Sequence, residues 1–316
     1  MTTFEKITES YLAEKRAVGF KLEKGDATMA RIASLHRAMG CAHDELPREL
    51  VDAWTAKKPG ETETTRLHRV GDIRGLAEFM ARMGHAAYIP PGKQGYPERG
   101  SYSPYIFTDD ELSALFSSAN ELAGSDETCL RAQMATVIRL LYSSGLRVSE
   151  ACSLSKEDVD LDEGILTIRH AKNDKDRLVP LHPSMAVRLR AFSSAASLEH
   201  RQYGGHGLFW SLPEGRPLSP RSVYGFFRQA LWSAGISHGG RGKGPRIHDL
   251  RFTFACHRLR DWVREGADVN AMMPYLAAYM GHADTRCTEY YLRLTAELYP
   301  GMVAQVEREC GWVVPS

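Results

Sequence analysis

Apolar positions recur at helical spacing through the first part of the chain. Phe4, Ile7, Tyr11 and Leu12 form one stripe, and Met29, Ile32, Leu35 and Met39 form another after breaks at Gly19 and Gly25. The stretch Leu46–Ala56 predicts a third helix, and Val70, Ile73, Ala77 and Met80 mark a fourth. A short helix cannot bury its stripe alone, so four of them within residues 1–88 predict a small helical bundle. The pattern then stops. Residues 89–104 are rich in proline and glycine with no apolar period, the composition of a linker.

A second domain, 105–295, opens at Thr108-Asp109-Asp110-Glu111, a capping box in which a threonine and a glutamate three residues on satisfy the first free amides of a helix. Met134, Val137, Ile138 and Leu141 give its next helix an apolar face. Ile165–Ile168 and Arg177–Val179 read as strands joined by the polar turn Asn173–Asp176. Helices follow over 183–198 and 220–234, then a basic, glycine-rich loop over 237–245, then a long helix from near His248. The expected class is mainly α with a small antiparallel β-sheet: a helical N-terminal domain followed by an α+β domain. A tail, 296–316, carries Met302, Val303 and Val306 at the spacing of one short helix.

Composition narrows the picture. A chain of 316 residues fits two domains. It contains no apolar run of the roughly 20 residues that span a bilayer, and its first residues are polar and charged, so a cytoplasmic location is expected. Six scattered cysteines with no C-x-x-C pair speak against a zinc ribbon or a thioredoxin-like motif and for free thiols. The net charge of +1 conceals a local cluster of Arg241, Lys243, Arg246, Arg251, Arg258, Arg260 and Arg264.

Four segments could carry chemistry. Gly145-Leu146-Arg147-Val148-Ser149-Glu150 follows an apolar helix, and Lys172 stands beside the turn of the hairpin. His248-Asp249-Leu250-Arg251 puts a histidine and an arginine three apart, on one face at a helix N-terminus, where anions are favoured. Gly281-His282 is followed by Tyr291. Taken singly, each has an ordinary explanation as a helix stop, a solvated lysine, a cap or a core tyrosine. Their order is not ordinary.

Gly-Leu-Arg-x-x-Glu, a hairpin lysine, His-x-x-Arg, Gly-His and a tyrosine, in that sequence, resemble the tyrosine recombinase (phage integrase) family over residues 105–295. The resemblance implies a core-binding domain at 1–88 and a recombinase catalytic domain at 105–295. It also implies a tail at 296–316 exchanged between protomers. The implied activity is site-specific DNA integration or recombination of a mobile element through a 3′-phosphotyrosine, with no metal, ATP or other cofactor. The implied catalytic set is Arg147, Lys172, His248, Arg251, His282 and Tyr291, with Glu150 orienting the arginine or a histidine. Spacing from His282 favours Tyr291 over Tyr290. The implied partners are double-stranded DNA core sites, a homotetramer on two such sites, and sister recombinases or accessory proteins. Lys57, Lys58, Arg66, Arg69, Arg74, Arg241, Lys243 and Arg246 are the phosphate-contact candidates. Two departures stand out. Phe252 occupies the position after the His-x-x-Arg arginine where the family often has histidine. The stretch from Arg251 to His282 is slightly long, an excess expected in a loop or helix end over 260–277. A type IB topoisomerase shares the tyrosine chemistry, and a non-catalytic DNA-binding regulator would share the fold. The N-terminal helices and the tail favour recombinase over the first, and the tyrosine itself argues against the second.

Overall fold

The computed structural model describes residues 2–22, 24–92, 103–124, 130–169, 176–203, 209–210, 217–237, 239–240, 244–282, 290–291 and 294–295. Its contacts divide the chain into two compact units, Met1–Ser103 and Pro104–Ser316.

The first unit holds α1 (Thr3–Ala17), α2 (Gly25–Ala38), α3 (Arg48–Thr55) and α4 (Glu63–Arg82). Thr2 and Glu5 cap α1 reciprocally. Phe4, Ile7, Tyr11, Ile32, Leu50, Trp54, Ile73, Leu76 and Met80 meet in one core. The stripe on α2 ends earlier than its apolar period suggests. Met39 lies beyond the last turn and is exposed, and His36 is buried instead, stacked on Phe4 at 3.9 Å and bonded through Nε2 to the Glu45 carbonyl at 3.0 Å. On α4 it is Leu67 that is buried, with Val70 only half-buried.

The second unit contains α5 (Asp109–Ala123), α6 (Leu130–Ser144), α7 (Val148–Cys152), strands β1 (Val159–Asp160), β2 (Ile165–Ile168) and β3 (Arg177–Pro180), then α8 (Pro183–Tyr203), α9 (Pro220–Ser233), α10 (Asp249–Arg264) and α11 (Val269–Met280). The strands form one antiparallel sheet in the order β1-β2-β3, with Leu166 opposite Val179. The fold is thus mainly helical with a small antiparallel sheet. The Thr108–Glu111 capping box starts α5. Helix α6 is the hub. It packs on α5, α8, α9 and α10, and Val137, Ile138 and Leu140 are fully buried.

The long helix expected from near His248 is α10, and a separate helix, α11, follows it. Gly266, at φ +71°, stops α10, and the Asp268 side chain caps α11 by accepting from the amides of Asn270 and Ala271. Residues 260–277, where an excess was expected in a loop or helix end, hold the end of α10, a short turn over 265–268 and most of α11. The tail from 296 onward lies outside the described residues.

Ile138 is fully buried on α6 in the core of this unit, so Ile138→Ala should leave a cavity that the packed helices cannot close. The expected loss is about 2–5 kcal/mol, read as a lower urea midpoint. The same truncation at exposed Val187 should change stability by less than about 0.5 kcal/mol.

Candidate active site

The site is built at helix ends. Gly145 follows α6 with φ +59°, and a Cβ there would meet Cδ1 of Phe254 on α10 at 2.6 Å. Both the backbone conformation and the close approach require glycine. The turn makes Arg147 the residue that precedes α7, and buried Leu146 anchors it. Glu150 in the first turn of α7 accepts the Arg147 backbone amide at 2.9 Å and the Arg147 Nη1 at 2.7 Å.

Arg251, on the first turn of α10, is only 2% exposed. Its Nη1 donates to the carbonyl of Gly145, and its Nη2 donates to the carbonyl of Met280 at 2.6 Å. Nη2 also lies 3.0 Å from Nε2 of His282. A guanidinium has only donors, so that ring nitrogen accepts and His282 carries its proton on Nδ1. Gly281 ends α11 in the left-handed conformation, φ +66°, and a Cβ on it would approach Nη1 of Arg177 to 2.8 Å. The turn is closed by the His282 amide bonding to the Ala277 carbonyl. The glycine of each motif is thus explained by what it must not touch.

Tyr291 is buried with Phe254, Leu259, Met273, Leu276 and Met280. Its ring stacks on His282 at 5.6 Å with an interplanar angle of 11°. Phe252 packs on the same ring at 5.3 Å and meets the half-buried Tyr290 edge-on at 6.1 Å. An aromatic residue after the arginine therefore has a packing role here. Burial pushes the Tyr291 phenol up, while the charge and hydrogen bond of Arg251 pull it back. Burial and the charges of Arg251 and Arg147 hold His248 and His282 down to about 4, so both are neutral at neutral pH. His248 nonetheless keeps solvent access at the start of α10.

Arg147, Glu150, His248, Arg251, His282 and Tyr291 thus converge from segments far apart in sequence. Lys172, Arg241 and Lys243 lie outside the described residues. Arg246 is exposed, and its backbone amide bonds to Asp249 at 2.7 Å. In the first unit Arg69 is held by Glu61 and by the carbonyls of Trp54 and Ala56, with a side chain only 12% exposed. Arg66 pairs with Glu63, Arg74 pairs with Glu78 and donates to the Pro90 carbonyl, Lys58 lies over the Trp54 ring, and Lys57 is exposed.

Sequence reasoning passed over Arg177. Its Nη1 and Nη2 reach Oε1 and Oε2 of Glu150 at 3.2 and 2.8 Å, and its Nε donates to the Tyr279 carbonyl at 3.0 Å. No signal in the sequence marked it, because Leu178 and Val179 are both apolar and do not tell which face of the strand is inward. Exposed Leu178 and buried Val179 put Arg177 on the inward side of β3, where a cation needs a partner.

Comparison with known proteins gives a consistent result. The model of the phage integrase family matches residues 106–297. A Sinorhizobium fredii protein named as an integrase/recombinase, y4rB, is 29% identical, with 98% of each chain covered. The tyrosine recombinase XerC of Azotobacter vinelandii is 30% identical, covering 82% of this chain and 83% of its own. The solved structure of the Tn1549 transposon integrase in complex with a circular intermediate DNA has a TM-score of 0.60 at 17% identity, covering 90% of this chain and 94% of that one. At that identity the likeness speaks for the fold.

Glu150 is buried yet pulled from 4.5 down to about 2, because the hydrogen bonds of Arg177 and Arg147 and the charge of Arg177 outweigh the opposing effect of burial. A carboxylate depressed on folding adds stability above its unfolded pKa and loses it as pH falls toward the folded value. Glu150→Gln should therefore lower the urea midpoint at pH 7. The gap from wild type should close as pH falls from about 4.5 toward 2. A gap that stayed constant across that range would mean the carboxylate charge is not what the site depends on.

Proposed function

The chain belongs to the phage integrase family, and on that premise we propose that Tyr291 is the nucleophile with which this site-specific recombinase cuts and rejoins DNA. What supports the assignment is the position of the Arg251 guanidinium. It touches the turn that carries Arg147, the turn that carries His282, and the Tyr291 phenol.

The Tyr291 oxygen attacks the phosphorus of a backbone phosphodiester, and the bond from phosphorus to the 5′-oxygen breaks. The products are a 3′-phosphotyrosine and a free 5′-hydroxyl. Negative charge grows on the non-bridging oxygens as the attack proceeds. Arg147 and Arg251 supply fixed donors for those oxygens, so the charge is met by groups already in place. Neutral His248 accepts the phenolic proton, which a protonated imidazole could not do. Lys172 protonates the leaving 5′-oxygen, and His282 hydrogen-bonds the phosphate. One ester replaces another, so the bond energy is conserved. A 5′-hydroxyl from a second strand reverses the step without ATP.

The remaining readings concern partners. Double-stranded DNA is the partner, with Lys57, Lys58, Arg66, Arg74, Arg241, Lys243 and Arg246 as contacts to phosphates and Arg69 as a less available candidate. Four protomers act on two DNA sites, and the tail from 296 packs on a neighbouring protomer. Base readout is not implied by any of these contacts, since phosphate contacts position the protein without reading sequence.

The test uses a nicked duplex from which the 5′-hydroxyl fragment diffuses away after cleavage. Wild type should form a protein–DNA adduct that survives SDS. Tyr291→Phe should form none while binding the duplex with unchanged affinity, and Tyr290→Phe should still form it. An adduct in Tyr291→Phe but not in Tyr290→Phe would move the nucleophile by one residue. Because arginines rather than a metal ion carry the charge stabilisation, the wild-type adduct should also form at an unchanged rate in EDTA. Loss of cleavage in EDTA that Mg²⁺ restores would contradict that mechanism.

A further inference from the structure

We propose that Arg177 is a positioning residue for strand cleavage: its bidentate grip on Glu150 keeps the Arg147 guanidinium available to the phosphate. The inference deepens the reading of Tyr291 as nucleophile and rests on it.

Glu150 has two carboxylate oxygens and two arginines within reach. Arg177 bonds to both oxygens, at 3.2 and 2.8 Å, whereas Arg147 reaches one through a single Nη at 2.7 Å. Two parallel bonds from a planar guanidinium to a planar carboxylate set its rotation as well as its position. The carboxylate so held accepts one Nη of Arg147 and its backbone amide. The other donors of Arg147 are left to turn outward. Without Arg177, Glu150 is free to rotate and take a bidentate pair with Arg147 itself, which would withdraw that guanidinium from the phosphate and neutralise it.

Three further observations fit. The Arg177 side chain is 9% exposed against 26% for Arg147, so Arg147 is the one poised to meet DNA. The Nε of Arg177 is anchored on the Tyr279 carbonyl near the end of α11, one turn from His282. Gly281 leaves the space that its guanidinium fills, since a Cβ there would sit 2.8 Å from Nη1. Arg177 thus joins β3, the strand of the lysine hairpin, to the start of α7 and the end of α11. A lysine could supply the charge but not the two-pronged geometry.

The experiment measures single-turnover adduct formation on a nicked duplex that wild type binds and cleaves, alongside the Kd for the same duplex and the urea midpoint. At saturating protein, Arg177→Met should cleave about 10²-fold more slowly, the scale of an ångström-level misplacement of a reacting group, with Kd unchanged. Arg177→Lys keeps the charge and should recover part of the loss, remaining about 10-fold slow because a point charge cannot replace the fork. The lysine variant carries the test alone if the methionine variant does not fold. The double variant Arg177→Met/Glu150→Gln should be no slower than the slower single variant, because both changes remove the same pair. Wild-type rates in Arg177→Lys would overturn the proposal. So would losses that multiply in the double variant, or a rise in Kd that accounts for the slower cleavage, since Arg177 would then act on DNA directly. A wild-type protein that forms no adduct on any duplex it binds overturns the assignment of Tyr291, and this proposal with it.

Discussion

Three guanidiniums and one carboxylate share a desolvated site, and the rest of the catalytic unit is arranged to make that tolerable. Burying an uncompensated cation is expensive, and like charges close together add to the cost. Glu150 offsets part of it by bonding to Arg147 and Arg177. The rest comes from backbone. Arg251 donates to the carbonyl of Gly145, just past the end of α6, and to that of Met280, the last residue of α11. Arg177 donates to Tyr279, one residue earlier. Carbonyls at helix C-termini lack partners within their own helix and carry the negative end of its dipole. Two helices thus end where cations are needed, and neither contact uses up a carboxylate that would compete with a phosphate.

The same arrangement sets the protonation of its neighbours. Burial and the adjacent guanidiniums keep both histidines neutral, and Arg251 offsets part of the burial effect that holds the phenol protonated. A bound phosphodiester would bring the missing negative charge, so the anion that reacts is also the group that relieves the site's electrostatic imbalance. Catalytic electrostatics and folding cost are here one arrangement seen with and without substrate.

Much of this was legible in the sequence. The stripes that begin with Phe4 and with Met134 marked helices because each has one buried face, and the capping box at Thr108 is written in four residues. Gly145 announced a helix end, although which atoms demand a glycine there and at Gly281 became visible only once Phe254 and Arg177 were seen beside them. What escaped had physical reasons. β1 is two residues long, too short for any alternation to register. The break between α10 and α11 rests on Gly266 and Asp268 within a continuing apolar pattern. Arg177 was read as an ordinary strand residue because its importance depends on a partner 27 positions away. Arg69 was a phosphate-contact candidate on its charge alone, and the ties of its guanidinium to Glu61 and to two backbone carbonyls join residues 8 to 15 positions apart that no local pattern links.

The account's central claim is that the phosphate held by these arginines becomes bonded to Tyr291. Trypsin should release that residue in a peptide spanning 287–293, which also contains Tyr290. Nuclease trimming of the covalent complex, followed by tandem mass spectrometry of this peptide, identifies the bonded residue directly. The account predicts the residual nucleotide mass on Tyr291, linked through its 3′-phosphate. A nucleotide on Tyr290, on a serine elsewhere in the chain, or linked through a 5′-phosphate would contradict it.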